Sequence, residues 1–382
     1  MASGLNQFIG PLYDELDTFN RESTGFIAGA ELDTSLAGGA IGQELSAPVG
    51  NAGKVVSVVE GVSPNKTDTS SVESAVFKVE RSEVIPIMLS GESAKGLRAS
   101  GNNERVMRTL IQDAYRTLSN RIETYMAEKA VAGASRAVGK AGTAPFGTSA
   151  DLMDFANLAK VLDENGCPKA ERTLVLSGAA MANLRGKQTI LTKVNESGSA
   201  EFLRTGYTAP VMNFRIFDSQ GLDIHAAGAG TGYLLNGDAA AGSRELAIDT
   251  GSGLVKAGDT FSIAGDDRIY VVNKDMASGD TVLSIGRPGL KVAAADNAAL
   301  TFGGAYVPSV GFHKKALVLG TRTIADPDTG DSCDDRTLVT DPVTGITFDV
   351  RLYKEYHRSW LEIGIAYGAA VMKPENVVLL LG

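Results

Sequence analysis

Phe348-Asp-Val-Arg-Leu-Tyr-Lys-Glu-Tyr356 is followed at once by Trp360-Leu-Glu-Ile-Gly-Ile-Ala-Tyr-Gly368 and then Met372-Lys-Pro-Glu-Asn376. Apolar residues alternate with charges along the first run. Phe348, Val350 and Leu352 share one side, and Asp349 and Arg351 the other, so the spacing predicts a strand with one buried face. The second run is apolar enough to be a longer strand. Two such strands back to back at the end of a chain imply a sheet that crosses most of the molecule.

The totals bound the rest. A chain of 382 residues is long for one small core, which points to two or three structural units. A net charge of −9 speaks against a general nucleic-acid binder, which needs a surplus of Lys and Arg on some face. Cys167 and Cys333 are the only cysteines and read as two reduced thiols rather than a bridge. No basic segment leads into an apolar one at the start, and no apolar run approaches the ~20 residues that span a bilayer.

Working upstream, residues 1–45 have weak periodicity. Phe8, Ile9, Leu12, Tyr13 and Leu16 suit a short amphipathic helix, and Ala37-Gly-Gly-Ala-Ile-Gly42 has nothing to pack. This stretch reads as an arm that needs a neighbour to order it. Lys54–Glu60 and Ala75–Leu89 are β-runs, and the polar Ser63–Ser71 segment between them makes a long hairpin. Residues 103–131 form the strongest helix, with Val106, Leu110, Ala114, Leu118, Ile122, Met126 and Ala130 every four residues. Arg105, Arg108, Asp113, Arg116, Arg121, Glu123 and Glu128 lie off that stripe. A mixed β/α segment follows. Ser149 caps a helix through Leu162, Arg172–Leu176 is a buried strand, and Ser177 opens a short helix to Leu184. From about 222 to 305 the composition turns Gly-, Asp- and Ala-rich. Strands are expected at Glu245–Ile248, Thr260–Ile263, Arg268–Val272 and Thr281–Ile285, folded as a small antiparallel barrel or sandwich. Mixed character resumes at His313.

Several features, in order along the chain, resemble the coat proteins of tailed phages. The terminal Val-Arg, Tyr, Leu-Glu-Ile-x-x-x-Tyr-Gly and Lys-Pro-Glu pattern resembles the end of P-twenty-two-type major capsid proteins, which have the Hong Kong 97 capsid fold. Lys256–Gly265 resembles a segment of their insertion domain. Gly311-Phe-His-Lys-Lys-Ala-Leu-Val-Leu319 with Ala325-Asp-Pro327 resembles the return into their apical domain. The motifs cover roughly 220–382, and the first hundred residues agree in order only.

This resemblance implies an α+β fold. It has an N-terminal arm (1–45), an extended hairpin loop (46–92), and a peripheral domain with a spine helix (93–148). An apical domain (149–221 and 306–340), an inserted antiparallel β domain (222–305) and closing strands (341–382) complete it. It implies a shell protein, not an enzyme, that packs with itself in pentamers and hexamers through head-to-tail contacts. A precursor shell would expand as subunits rotate. The arm begins near residue 1, so a separate scaffolding protein is expected rather than a fused one. A portal protein, weak non-specific contact with packaged double-stranded DNA, location in the virion and assembly in the host cytoplasm are implied in the same way. From the residues alone, an encapsulin-like cellular compartment and a small-molecule enzyme with a β accessory domain stay open.

Chemistry-bearing motifs are sparse. His225, His313 and His357 stand apart from each other and from cysteine pairs, so no zinc spacing exists. His313, beside Lys314 and Lys315, and His357, beside Arg358, read as exposed polar positions. Gly133–Lys140 and Gly228–Tyr233 are near misses of phosphate-binding loops and read as flexible loops. Asp326–Asp335 is acidic enough to hold a hard cation, but Gly330 stands where the third ligand is expected and no Glu closes the loop, so a solvated turn is expected. No catalytic, cofactor-binding or metal-binding residues are expected.

Overall fold

The computed structural model describes residues 24–33, 40–50, 72–92, 103–148, 152–186, 211–328 and 330–382, together with residues 12 and 95. In chain order, helix α1 (Gly25–Gly29) and strand β1 (Glu31–Asp33) precede a hairpin of β2 (Glu44–Gly50) and β3 (Val72–Lys78). Strand β4 (Arg81–Ser90) leads to the long helix α2 (Asn103–Ala132). Then come β5 (Arg136–Gly139), α3 (Met153–Glu164), β6 (Arg172–Leu176), α4 (Gly178–Gly186) and β7 (Phe214–Asp218). The Gly-rich region supplies β8 (Leu234–Leu235), β9 (Glu245–Asp249), β10 (Thr260–Ile263), β11 (Ile269–Val271), β12 (Val282–Ser284) and β13 (Leu300–Phe302). Strands β14 (Pro308–His313), β15 (Leu317–Arg322), β16 (Asp335–Thr340), β17 (Thr347–Glu355), β18 (Arg358–Val371) and β19 (Val377–Leu381) close the chain.

The 14-residue β18 organises a six-stranded sheet. One edge pairs along Arg358–Tyr367 with β4. The other pairs first with β17 and then with β15, and β16 and β1 complete the sheet. Pro86 is tolerated in β4 because, among the described residues, that strand pairs on one side only. Helix α2 lies on this sheet, with Tyr115 against Phe348 and Tyr125 edge-to-face on Tyr367.

The second sheet has eight strands in the order β13-β10-β11-β5-β19-β14-β6-β7. Its central β6, β14 and β19 are buried along their whole length, as apolar runs without alternation require. Helix α3 covers this sheet with Phe155, Leu158 and Leu162, and α4 opens as expected, Ser177 Oγ accepting from Ala180 N at 3.4 Å.

Several sequence expectations change. The strand at 347–355 is buried on both faces: Asp349 is 1% exposed and Arg351 5%. Its alternation is real, but a loop covers the polar side. A stripe at four-residue spacing drifts about 40° per step against 3.6 residues per turn, so the α2 face that packs is Met107, Ile111, Ala114, Tyr115, Leu118 and Ile122, while Leu110 is exposed. Glu123, off the apolar stripe of the sequence, is nonetheless 2% exposed. The run 75–89 divides: Val72–Lys78 belongs to the hairpin, and 81–90 to the main sheet. The other predicted hairpin run, 54–60, lies outside the described residues, as does Ser149. Leu152 stands at the N-cap of α3 with no side-chain cap. Gly133–Lys140 is not a flexible loop, because 136–139 is a strand inside the eight-stranded sheet.

Candidate assembly surfaces

The hairpin is a two-stranded sheet that pairs with no other strand among the described residues, in register from Glu44–Lys78 to Gly50–Val72. Two strands alone are marginal in water, so its base must be held by something else. Three anchors do this. Gly42 N donates to Val79 O at 2.9 Å, and Glu80 N to Tyr367 O at 3.2 Å. Helix α2 then offers Tyr125 and Lys129, whose Oη and Nζ reach Glu80 Oε2 at 2.6 and 2.8 Å. Burial raises the Glu80 carboxyl, but the Lys129 and Tyr125 hydrogen bonds outweigh it and leave the pKa below the usual carboxylate value. One turn along, Glu83 takes Arg121 at 3.3 Å and the Tyr367 hydroxyl at 2.9 Å. Sequence reasoning did not find Glu80 and Glu83; their three-residue spacing opposite the α2 cations was the available signal. Of the four α2 arginines, Arg121 is thus tied to the sheet, while Arg105 and Arg116 are exposed.

On the opposite face of the six-stranded sheet, residues 323–328 and 330–334 fold over β17. Arg351 Nη1 donates to Asp326 Oδ1 and Asp331 Oδ2, both at 2.7 Å, and Arg351 Nη2 to Asp349 Oδ2 at 2.7 Å. Arg336 forks onto Asp349 at 2.8 and 2.7 Å and reaches Asp326 at 2.6 Å. The Tyr353 hydroxyl also donates to Asp331. That hydrogen bond, followed by Arg351, holds the Asp331 carboxyl below its ordinary value against the effect of burial. The acidic run is an exposed turn at Asp328 and Asp334, but Asp326 and Asp331 take guanidinium groups of the chain itself as counterions. No group of His, Cys, Asp and Glu able to hold a metal ion occurs among the described residues.

The histidines divide. His225 Nε2 lies 2.8 Å from Asp259 Oδ1, and Asp259 also accepts from Gly228 N and Lys256 N. This packs the Gly228–Tyr233 segment in place, with Tyr233 2% exposed, so that segment is no flexible loop. His313, expected to be exposed, is buried at the end of β14, and its Nδ1 accepts from Lys315 N. His357 is exposed as expected, beside Tyr356, which is 89% exposed at the β17–β18 turn. Both cysteines are free.

Residues 222–305 surround a core of their own. Tyr233, Leu235, Leu246, Ile248 and Leu283 face Phe261, Ile263, Tyr270 and Leu300. The three-stranded sheet β12-β9-β8 forms one layer, while β10, β11 and β13 extend the eight-stranded sheet through the β11–β5 pairing. Sequence reasoning missed β8 and β13, which are two and three residues long.

No protein-family model matches the chain, and no curated protein matches it in sequence. Solved structures do. A structure from Mycobacterium phage Che8 aligns over 94% of this chain and 92% of its own, with TM-score 0.50 and 14% identity. The capsid structure of the cyanophage P-SCSP1u aligns over 94% and 88%, with TM-score 0.50 and 12% identity. The chain has the Hong Kong 97 capsid fold.

Proposed function

We propose that the protein is the major capsid protein of a tailed double-stranded DNA phage, assembling with copies of itself into an icosahedral shell. The alignment with a phage capsid structure over 94% of the chain carries the reading. A two-stranded hairpin riveted at its base, with Val76 exposed on β3, supports the reading, since such an element finds its burial on another subunit. Pentamers and hexamers, a precursor shell that expands as subunits rotate, a separate scaffolding protein and a portal belong to this proposal. So do virion location and assembly in the host cytoplasm. Contact with packaged DNA is weak and non-specific: the chain carries −9 overall, and at least one helix arginine is spent on Glu83. The chain, expressed together with its scaffolding protein, is expected to form closed shells visible by negative-stain microscopy. Removing 60–72 from the hairpin is expected to leave a folded subunit, with unchanged circular dichroism, that forms none. Normal shells from the deletion would overturn the role given to the hairpin, and no shells from the intact chain would overturn the function.

Residues 222–305 are proposed as an inserted domain. They hold 10 acidic and 6 basic side chains around their own core. Excised, the segment is expected to give a dispersed amide-proton spectrum, with residues 269–271 least protected because their partner strand β5 is gone. Random-coil shifts throughout would refute the domain.

A further inference from the structure

Residues 24–33 touch both large sheets and helix α2. Phe26 stacks on Phe312 of β14, with ring centroids 5.8 Å apart and planes 4° apart. Gly25 and Gly29 lie so close to β6 that an added Cβ would meet Val175 Cγ1 at 2.8 Å and Thr173 Cγ2 at 2.6 Å. Strand β1 then adds to the six-stranded sheet, parallel to β15, with Glu31–Val318, Leu32–Leu319 and Asp33–Gly320 in register. Ten residues thus cross from one sheet to the other.

What fastens them is a side chain nearly a hundred residues away. Thr24, at the start of α1, gives no side-chain cap, so the first-turn N–H groups need an acceptor from elsewhere. Glu123 supplies it from the middle of α2. Its Oε1 accepts from Phe26 N at 2.7 Å, and its Oε2 from Ile27 N at 3.1 Å. Ser219 Oγ donates to the same Oε1 at 2.8 Å and itself accepts from Gly221 N at 3.1 Å. One buried carboxylate therefore joins the segment before β1, the long helix and the turn after β7. A buried carboxylate is costly unless its lone pairs are filled, and every donor here except Ser219 comes from the strap. Hydrophobic packing alone would be served as well by an apolar residue at 123.

We propose that Glu123 is a latch: it fastens residues 24–33 as a strap across the two sheets, and shell closure requires the strap fastened. The second clause rests on the capsid reading; the first does not. A shell subunit must present contacts at both ends in a fixed relation, and a strap spanning both sheets preserves that relation.

The test is Glu123→Gln in the full chain, which keeps the volume and replaces one acceptor with a donor. Amide exchange in the unassembled subunit is expected to speed up roughly tenfold or more at Phe26 and Ile27, with β6, β14 and β18 unchanged. Assembly of the same variant is expected to give open or misshapen particles. Wild-type exchange at both amides would overturn the latch, as would protection lost uniformly across both sheets. Local loosening with normal closed shells would overturn the requirement for closure. Wild-type chain that forms no shells would count against the capsid reading and leave the exchange result standing. Where Glu123→Gln does not fold, Ser219→Ala removes one donor and keeps the charge. It is expected to speed exchange at the same two amides and at Gly221, whose N–H loses its acceptor, and unchanged exchange at Phe26 and Ile27 overturns the latch equally.

Discussion

Replacing Arg351 with methionine is expected to destabilise the subunit by about 3–5 kcal/mol, read as a lowered denaturant midpoint at constant slope. The methionine fills the same space, so packing is largely kept. What goes is the cation serving three carboxylates, one of which, Asp349, has a fully buried side chain. Arg336 still forks onto Asp349, which sets the loss below that of an isolated buried charge. The double variant Arg351→Met, Asp349→Leu is expected to recover part of the loss, because the buried carboxylate that has lost one of its two guanidinium partners is then gone as well. By contrast, Arg358→Ala, at an exposed pair with Glu355, is expected to cost under about 1 kcal/mol. A loss at Arg351 no larger than that at Arg358 would mean the cluster is a surface feature. The cluster also predicts acid sensitivity. The Asp331 pKa is lowered in the folded state, so its contribution is present above the unfolded carboxylate value and fades as pH falls through the folded one. Burial raises Glu362 on the neighbouring strand, which works in the opposite sense.

Gly368→Ala is expected to cost about 3 kcal/mol and to detach the hairpin base. Gly368 sits where β18 passes under the β3–β4 junction. A Cβ there would lie 2.0 Å from the Lys78 carbonyl oxygen and 3.1 Å from Val79 Cα, both backbone atoms that no rotamer change can move. Relief requires residues 78–80 to lift, and with them the Glu80 contacts to Tyr125 and Lys129. Amide exchange is expected to show lost protection at Val79 and Glu80 before any change in β14 or β19. Gly279→Ala, at positive φ but facing open space, is the comparison, and its cost is about 1 kcal/mol. Equal losses at the two glycines would show that backbone conformation, not the close approach, is what Gly368 serves.

The chain's own patterns determined most of its elements. The apolar runs at Arg172–Leu176 and Trp360–Gly368, the helical stretch 103–131 and the turn-separated strands of 245–285 are all legible because local burial needs write periodicity into a sequence. The order of those elements carried the fold. Tertiary structure alone decided which polar residues are buried. Asp349, Arg351 and Glu123 look like solvent-facing residues, because alternation and helical phase report one face of an element and not what another segment lays over the other. Residues 323–328 and 330–334 cover the first two, and residues 24–33 cover the third. The same limit applies to the acidic run, in which Asp326 and Asp331 are held by Arg351 and Arg336. Arg351 and Arg336 become its counterions only when β17 and β16 pair beside it. A sequence states which groups carry charge, but the free energy of each charge depends on what the folded chain brings within about 3 Å of it.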